Sequence, residues 1–210
     1  MATVEETGRR KNTFFFFSSD NGGPAPGRVT SNGPFRAGKG TVYEGGVRTV
    51  AFATWDGHIK PGSTVSGPMH MVDLNPTLRK LAGASLDNQK LPLDGMDIMP
   101  CLTDGKPSPH KEILFNTTPN NGALRVGDWK IVVNGNRTQT EGEEQPAEPK
   151  AKKKKKQAAQ SSDAVELFNL ADDPYEKKNL ASSQPEKLKE LRARYDALAK
   201  QAVKPKNAKD

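Results

Sequence analysis

FFFFSSDNGG, residues 14–23, joins four consecutive phenylalanines to residues that favour turns. Aromatics side by side waste the faces of a helix but suit a strand covered on both sides, as in a parallel sheet flanked by helices. Gly22-Gly23-Pro24 follows at once, which argues against a helix and ends the strand at Asp20-Asn21. In open α/β folds the carboxyl end of such a strand faces the crevice where ligands bind. Asp20 and Asn21 would present hard oxygen donors there, suited to Ca²⁺ or Mg²⁺. On this stretch alone an ordinary turn is the better reading, because every residue in it favours turns.

From Asn21 to Gly40 the chain is loop chemistry, and a loop this long inside a compact domain is usually either functional or disordered. VRTVAFATW (47–55) reads as a second buried strand stopped by Asp56-Gly57. In MVDLNPTLRKLAGA (71–84), Val72, Leu74, Leu78 and Leu81 fall at helical spacing, with Asp73 as the expected N-cap, Pro76 in the first turn and Gly83 as the stop. EILFN and ALRVGDWKIVVNG read as strands, the latter folded back at Gly127-Asp128. AVELFNLADDPYEKKNLA gives a short strand and a turn at Asp173-Pro174. The closing helix opens at Pro185 and places Leu188, Leu191, Tyr195 and Leu198 on one side.

Composition narrows the alternatives. The 210 residues carry a formal charge of +7, but Lys150 and Lys152 to Lys156 supply six positive charges and leave the rest nearly neutral. No aromatic residue interleaves that run to stack on bases, so a nucleic-acid partner is not expected. Residues 135–163 hold no large apolar side chain after their start and read as a disordered Lys-rich insertion. Cys101 is the single cysteine, which excludes an internal disulfide and a Cys-based zinc site. No stretch approaches the ~20 apolar residues of a membrane span, and the first residues contain no apolar core of a secretory signal.

A second cluster shifts the balance at Asp20. In GKGTVYEGGVR (38–48), glycines flank Lys39 so that backbone and ammonium can both approach an anion. A P-loop is excluded because Lys39 is followed by glycine instead of Ser or Thr. In isolation the segment is a Gly-rich connection with a solvated lysine.

Taken in order, SSDNGG, GPFRAGKGTVYEGGVRTVAFATWDGHIKPG, HMVDLNPTLRKLAG and LDGMDIMPCLTDGKPSPHKEILFN closely resemble the C-terminal half of sulfatases of the arylsulfatase type. ELFNLADDPYEKKNLA and the last helix resemble that family's C-terminal subdomain. The resemblance implies a partial alkaline-phosphatase-like α/β fold: residues 1–116 as the C-terminal part of the catalytic domain, and 117–134 with 164–210 as a small antiparallel subdomain with a terminal helix. It further implies that Asp20 and Asn21 ligate an active-site Ca²⁺ and that Lys39 contacts the sulfate of a sulfate ester; Glu44 and Arg48 lie in the same motif and read as loop and strand scaffolding.

The sequence also departs from the family pattern. The nucleophile there arises from Cys or Ser in Cys/Ser-x-Pro-Ser/Ala-Arg, and no candidate satisfies this: Cys101 lacks the proline, Ser66 has Pro68 but His70 in place of arginine, and Ser183 has Pro185 but then Glu186 and Lys187. The paired aspartates that complete the cation site are absent too, since Asp172-Asp173 reads as a turn. His58 and His110 are expected to be solvated, His70 to be structural or orienting, and Cys101 to be a small buried hydrophobe. The expectation is a sulfuric-ester hydrolase fragment, with half a cation site and one sulfate contact, inactive without the missing N-terminal half. The alternative is a non-catalytic calcium- or anion-binding module derived from the same fold. Family members are commonly exported, although this stretch shows no signal.

Overall fold

The computed structural model describes residues 1–24, 30–87, 90–118, 121–135 and 164–201. In chain order the elements are α1 (Ala2–Glu6), β1 (Phe15–Ser18), α2 (Glu44–Val47), β2 (Ala51–Thr54), α3 (Leu74–Leu81), α4 (Met99–Thr103), β3 (Glu112–Thr118), β4 (Asn121–Val126), β5 (Trp129–Val133), β6 (Val165–Asn169) and α5 (Pro185–Ala199). They group into two compact units, Met1–Ser19 with Val50–Ile113, and Asp20–Thr49 with Leu114–Asp210. The expected Lys-rich insertion, apart from Gly135, lies outside the described residues.

In the first unit β1 and β2 pair antiparallel, Phe15 opposite Thr54 and Ser18 opposite Ala51. This corrects the expectation of a strand covered on both faces in a parallel sheet. Among the described residues the pair forms a two-stranded sheet with no third strand. Phe17, Val50 and Phe52 keep 50%, 73% and 53% of their surface exposed. Two strands supply too few side chains to cover both faces, so the aromatic rings cover one another instead. Phe17 stacks on its cross-strand partner Phe52 at 5.0 Å between centroids, and Phe14 meets Trp55 edge-on at 6.2 Å.

The helix α3 forms where the apolar spacing placed it, but Asp73 does not cap it. Asp73 is fully buried and closes a capping box with His70 one turn earlier, accepting from the His70 N–H at 2.7 Å. Its carboxylate also accepts from Met96 N at 2.9 Å and lies 2.8 Å from His110 Nε2. His110 is therefore not solvated as expected. Its ring is buried, because a carboxylate sealed from water needs every available donor. His58 is exposed and stacks on Trp55 at 3.8 Å. Cys101 is buried on α4, and burial pushes its thiol pKa up, as for an inert core residue.

The second unit is built on a sheet of order β3-β4-β5-β6, with β4–β5 and β5–β6 antiparallel. Val126 faces Trp129 across the two-residue turn, where Gly127 takes φ +57°. Alternation along the strands divides the core in two. Leu124, Ile131, Val133 and Leu167 pack with Leu191 and Tyr195 of α5. Ala123, Val132 and Phe168 pack with Val42 and Tyr43, so the segment leading into α2 lies on the sheet face opposite α5.

Candidate functional site

Asp20, Asn21 and Lys39 fall in the same unit, on two loops that backbone hydrogen bonds hold together. Gly22 N donates to Gly46 O at 2.9 Å, and Lys39 N donates to Gly23 O at 3.0 Å. Asn32 stitches the two loops from the side. Its amide oxygen accepts from Gly23 N at 2.8 Å, and its amide nitrogen donates to Gly23 O at 2.9 Å and Ala37 O at 3.0 Å. The approach leaves no room for side chains at the crossing. A Cβ at Gly22 would overlap the Gly45 carbonyl, and one at Gly45 would overlap the carbonyls of Arg36 and Ala37. Ala37 itself takes φ +60°, a left-handed conformation that costs an L residue roughly 1–2 kcal/mol. Strain of this kind persists only where the surroundings over-determine the backbone.

Out of this rigid crossing project Asp20 and Lys39, both exposed. Asp20 Oδ1 accepts from Asn21 N at 3.0 Å, which leaves the second carboxylate oxygen clear of that turn. Lys39 pairs with no carboxylate among the described residues. The donor types at Asp20 and Asn21 fit a hard divalent cation in kind, but not in number. Among the described residues no group of three or more His, Cys, Asp or Glu could hold a metal. Asp172 and Asp173 serve their own turn: Asp172 Oδ2 accepts from Asn169 Nδ2 and Asp173 Oδ2 from Lys178 N, both at 2.8 Å.

Behind the crossing lies a set of charges not anticipated from the sequence. Lys130 is fully buried on β5, with Glu44 3% and Glu176 1% exposed. Lys130 Nζ donates to Glu44 Oε1 at 2.8 Å. It also sits 2.8 Å from Glu176 Oε1, as a charge contact without an aligned hydrogen bond. Glu176 Oε2 accepts from the backbone N–H of Glu44 at 2.7 Å. Burial pushes the Glu176 carboxyl up, against the opposing pull of Lys130 and the Glu44 N–H. Arg48 approaches Glu44 Oε2 at 3.9 Å, so two cations face two carboxylates. Alongside, Arg36 lies 3.9 Å over the Tyr43 ring and 2.9 Å from Glu166 Oε1, while the Tyr43 hydroxyl donates to Glu166 Oε2. Burial and that carboxylate hold the Tyr43 hydroxyl above its ordinary pKa. A signal for this set existed in Trp129-Lys130-Ile131-Val132-Val133: a lysine inside an apolar strand must find buried acids.

Residues 1–84 match the sulfatase family, and residues 108–208 match the C-terminal region of aryl-sulfatase. The chain belongs to the sulfatase family and carries sequence of its C-terminal portion. It is 34% identical to arylsulfatase A of Bos taurus over 213 residues, covering 94% of this chain and 41% of that protein. It is 32% identical to arylsulfatase J of Mus musculus over 224 residues, covering 95% of this chain and 37% of that protein. The chain thus spans about two fifths of the length of these relatives. It carries part of the alkaline-phosphatase-like fold of solved sulfatases. The PsFucS1 sulfatase from Pseudoalteromonas sp. superimposes with a TM-score of 0.68 at 27% identity, over 97% of this chain and 41% of that one. No helix among the described residues is long and apolar enough to cross a membrane.

Proposed function

We propose that this chain supplies the sulfate-facing part of a sulfuric-ester hydrolase of the arylsulfatase type. The observation that carries the reading is the crossing of the 20–23 and 38–46 loops. It holds a carboxylate, an amide and a lysine on one backbone scaffold, with no bulk between the strands of the crossing. Asp20 and Asn21 would hold a Ca²⁺ ion, with further ligands coming from outside the described residues. When bound, that ion polarises sulfate oxygens. Lys39 binds the ester through its sulfate and offsets charge that grows on the leaving side as the S–O bond breaks. The nucleophile comes from a segment carrying Cys/Ser-x-Pro-Ser/Ala-Arg, a motif these 210 residues lack.

The test is hydrolysis of a chromogenic aryl sulfate, with and without an added sulfatase segment that carries the nucleophile motif and the missing aspartates. The chain alone should give no turnover above background, since loss of a covalent nucleophile removes several orders of magnitude of rate. In the completed enzyme, Lys39→Ala should lower kcat/KM about 100-fold or more. Clear turnover by the chain alone would remove the need for an outside nucleophile. An undiminished Lys39→Ala enzyme would remove the lysine from the reaction. A cation- or anion-binding module without catalysis is the second reading, favoured by the small donor set at Asp20 and Asn21. It predicts that no added segment restores turnover.

A further inference from the structure

We propose that Glu44, gripped by Lys130 and Glu176, is a positioning residue that fixes the sulfate-facing loops against the C-terminal sheet. The inference rests on the reading of Asp20, Asn21 and Lys39 as the face that meets sulfate and cation.

Glu44 opens the short turn α2, directly before the two glycines at the crossing. Gly45 N donates to Arg36 O at 2.8 Å, and Gly46 O receives the Gly22 N–H. Those glycines touch the backbone on every side: a Cβ on Gly45 would strike residues 36 and 37, and one on Gly46 would strike the carbonyls of Gly38 and Thr41. Wherever Glu44 is held, both loops follow, and Glu44 is held twice. Its carboxylate takes the proton-rich end of Lys130 from β5, and its backbone N–H is taken by Glu176. Glu176 adopts φ +53° while making that contact, a left-handed backbone unusual for a glutamate. Lys130 is sealed completely from solvent, so neither carboxylate can be replaced by water without opening the sheet face. These residues reach no substrate themselves. Their effect passes through the crossing to Asp20, Asn21 and Lys39.

The test measures amide hydrogen exchange and sulfate binding on the full 210-residue chain by NMR. Glu44→Ala removes the carboxylate hold on Lys130, keeps the backbone N–H bond to Glu176 and leaves Lys130 paired with Glu176, so the sheet keeps its charge balance. In this variant the amides of Gly22, Lys39 and Gly45 should exchange about tenfold faster or more. The amides of Ala123 and Leu124 in β4 should be unchanged. Glu176→Ala should do the same by freeing the Glu44 N–H. Glu44→Gln keeps both the bulk and an acceptor for Lys130 and should hold protection near wild type, whereas Glu44→Met, which keeps the bulk without an acceptor, should exchange as fast as Glu44→Ala.

Titration with inorganic sulfate supplies the second arm, with Lys39→Ala as the reference for loss of the direct contact. Glu44→Ala should weaken sulfate binding although the residue touches no anion. If Lys39→Ala leaves sulfate binding unchanged, or wild type binds none, the reading of Lys39 fails, while the exchange data still decide the positioning role. Unchanged exchange at Gly22, Lys39 and Gly45 in both alanine variants would overturn the inference. Uniform loss of protection in loop and sheet alike would overturn it too, because the network would then hold the sheet and not the loops.

Discussion

The β1–β2 pair and the C-terminal sheet began from similar sequence signals and ended in opposite environments. FFFF and WKIVV both read as strands. In the structure Ala123, Leu124, Ile131 and Val132 lose all exposure, whereas Phe17 and Phe52 keep about half of theirs. The difference does not lie in hydrophobicity, since the phenylalanines are the more apolar. It lies in what packs on each face. The C-terminal sheet has α5 on one side and the Val42–Tyr43 segment on the other, so alternate residues of one strand enter two cores. Among the described residues the first unit offers β1 a single strand neighbour. Burial follows from the number of covering layers, and apolar content sets only what those layers are worth.

The strongest way to break this contrast is to attack the buried charges on which the second unit depends. Lys130→Met leaves Glu44 and Glu176 facing each other inside the protein. Removing one partner of a buried ionic set costs about 3–5 kcal/mol. The chain's two tryptophans allow the units to be read separately, Trp55 in the first and Trp129 in the second. In urea unfolding, Lys130→Met should lower the stability reported by Trp129 in a Trp55→Phe background by that amount. The transition reported by Trp55 in a Trp129→Phe background should not move. A joint shift of both would mean that the units unfold as one, and the contrast between them would lose its energetic meaning.

A smaller effect tests the electrostatics behind the contrast. Burial raises the Glu176 carboxyl above its ordinary 4.5. The folded protein therefore keeps that proton at pH values where the unfolded chain has already lost it. Between 4.5 and the raised value the unfolded state binds fewer protons, so stability from this group is full below 4.5 and declines as pH rises through the folded value. Glu176→Gln cannot ionise and should remove that decline from the Trp129-reported pH profile. A variant profile that falls as steeply as wild type over the same window would show that Glu176 is not the group responsible.

These charges also show where the sequence was legible. The hairpin at Gly127-Asp128, the helix opening at Pro185 and the loop character of 21–24 and 30–40 are local signals, set by turn chemistry and period, and they stand in the structure. The loops bearing Asp20, Asn21 and Lys39 were singled out by their resemblance to sulfatase motifs, since taken alone their residues read as a turn and a Gly-rich connection. What could not be read was pairing over distance. Lys130 meets Glu44 across 86 positions and Arg36 meets Glu166 across 130, and no local period encodes such partners. His110 was misjudged for the same reason: a Pro-rich neighbourhood suggests solvent, but Asp73, 37 positions earlier, draws the ring inside. Asn32 was passed over because an asparagine before glycine explains itself as a turn, which hides its second task of joining two loops.

The smallest effect belongs to the aromatic pair that started the contrast. Phe17 and Phe52 face each other directly across β1 and β2, stacked at 5.0 Å with 19° between ring planes. Cross-strand pairs of this kind contribute roughly 0.2–1 kcal/mol when one side remains open to water. Phe52→Thr puts a β-branched side chain, itself suited to a strand, in place of the ring and removes the stack. The Trp55-reported stability should therefore fall by less than about 1 kcal/mol. Leu124→Ala in the covered sheet removes fewer carbon atoms, yet should cost about 2–5 kcal/mol at Trp129, because it opens a cavity between two packed layers. The larger ring would then matter less than the smaller aliphatic chain, which is the signature of coverage deciding the outcome. Should Phe52→Thr cost 3 kcal/mol or more, as a buried aromatic would, the ring must be covered in solution. Repeating the measurement at tenfold dilution separates self-association, which dilution would relieve, from burial within the chain, which it would leave untouched.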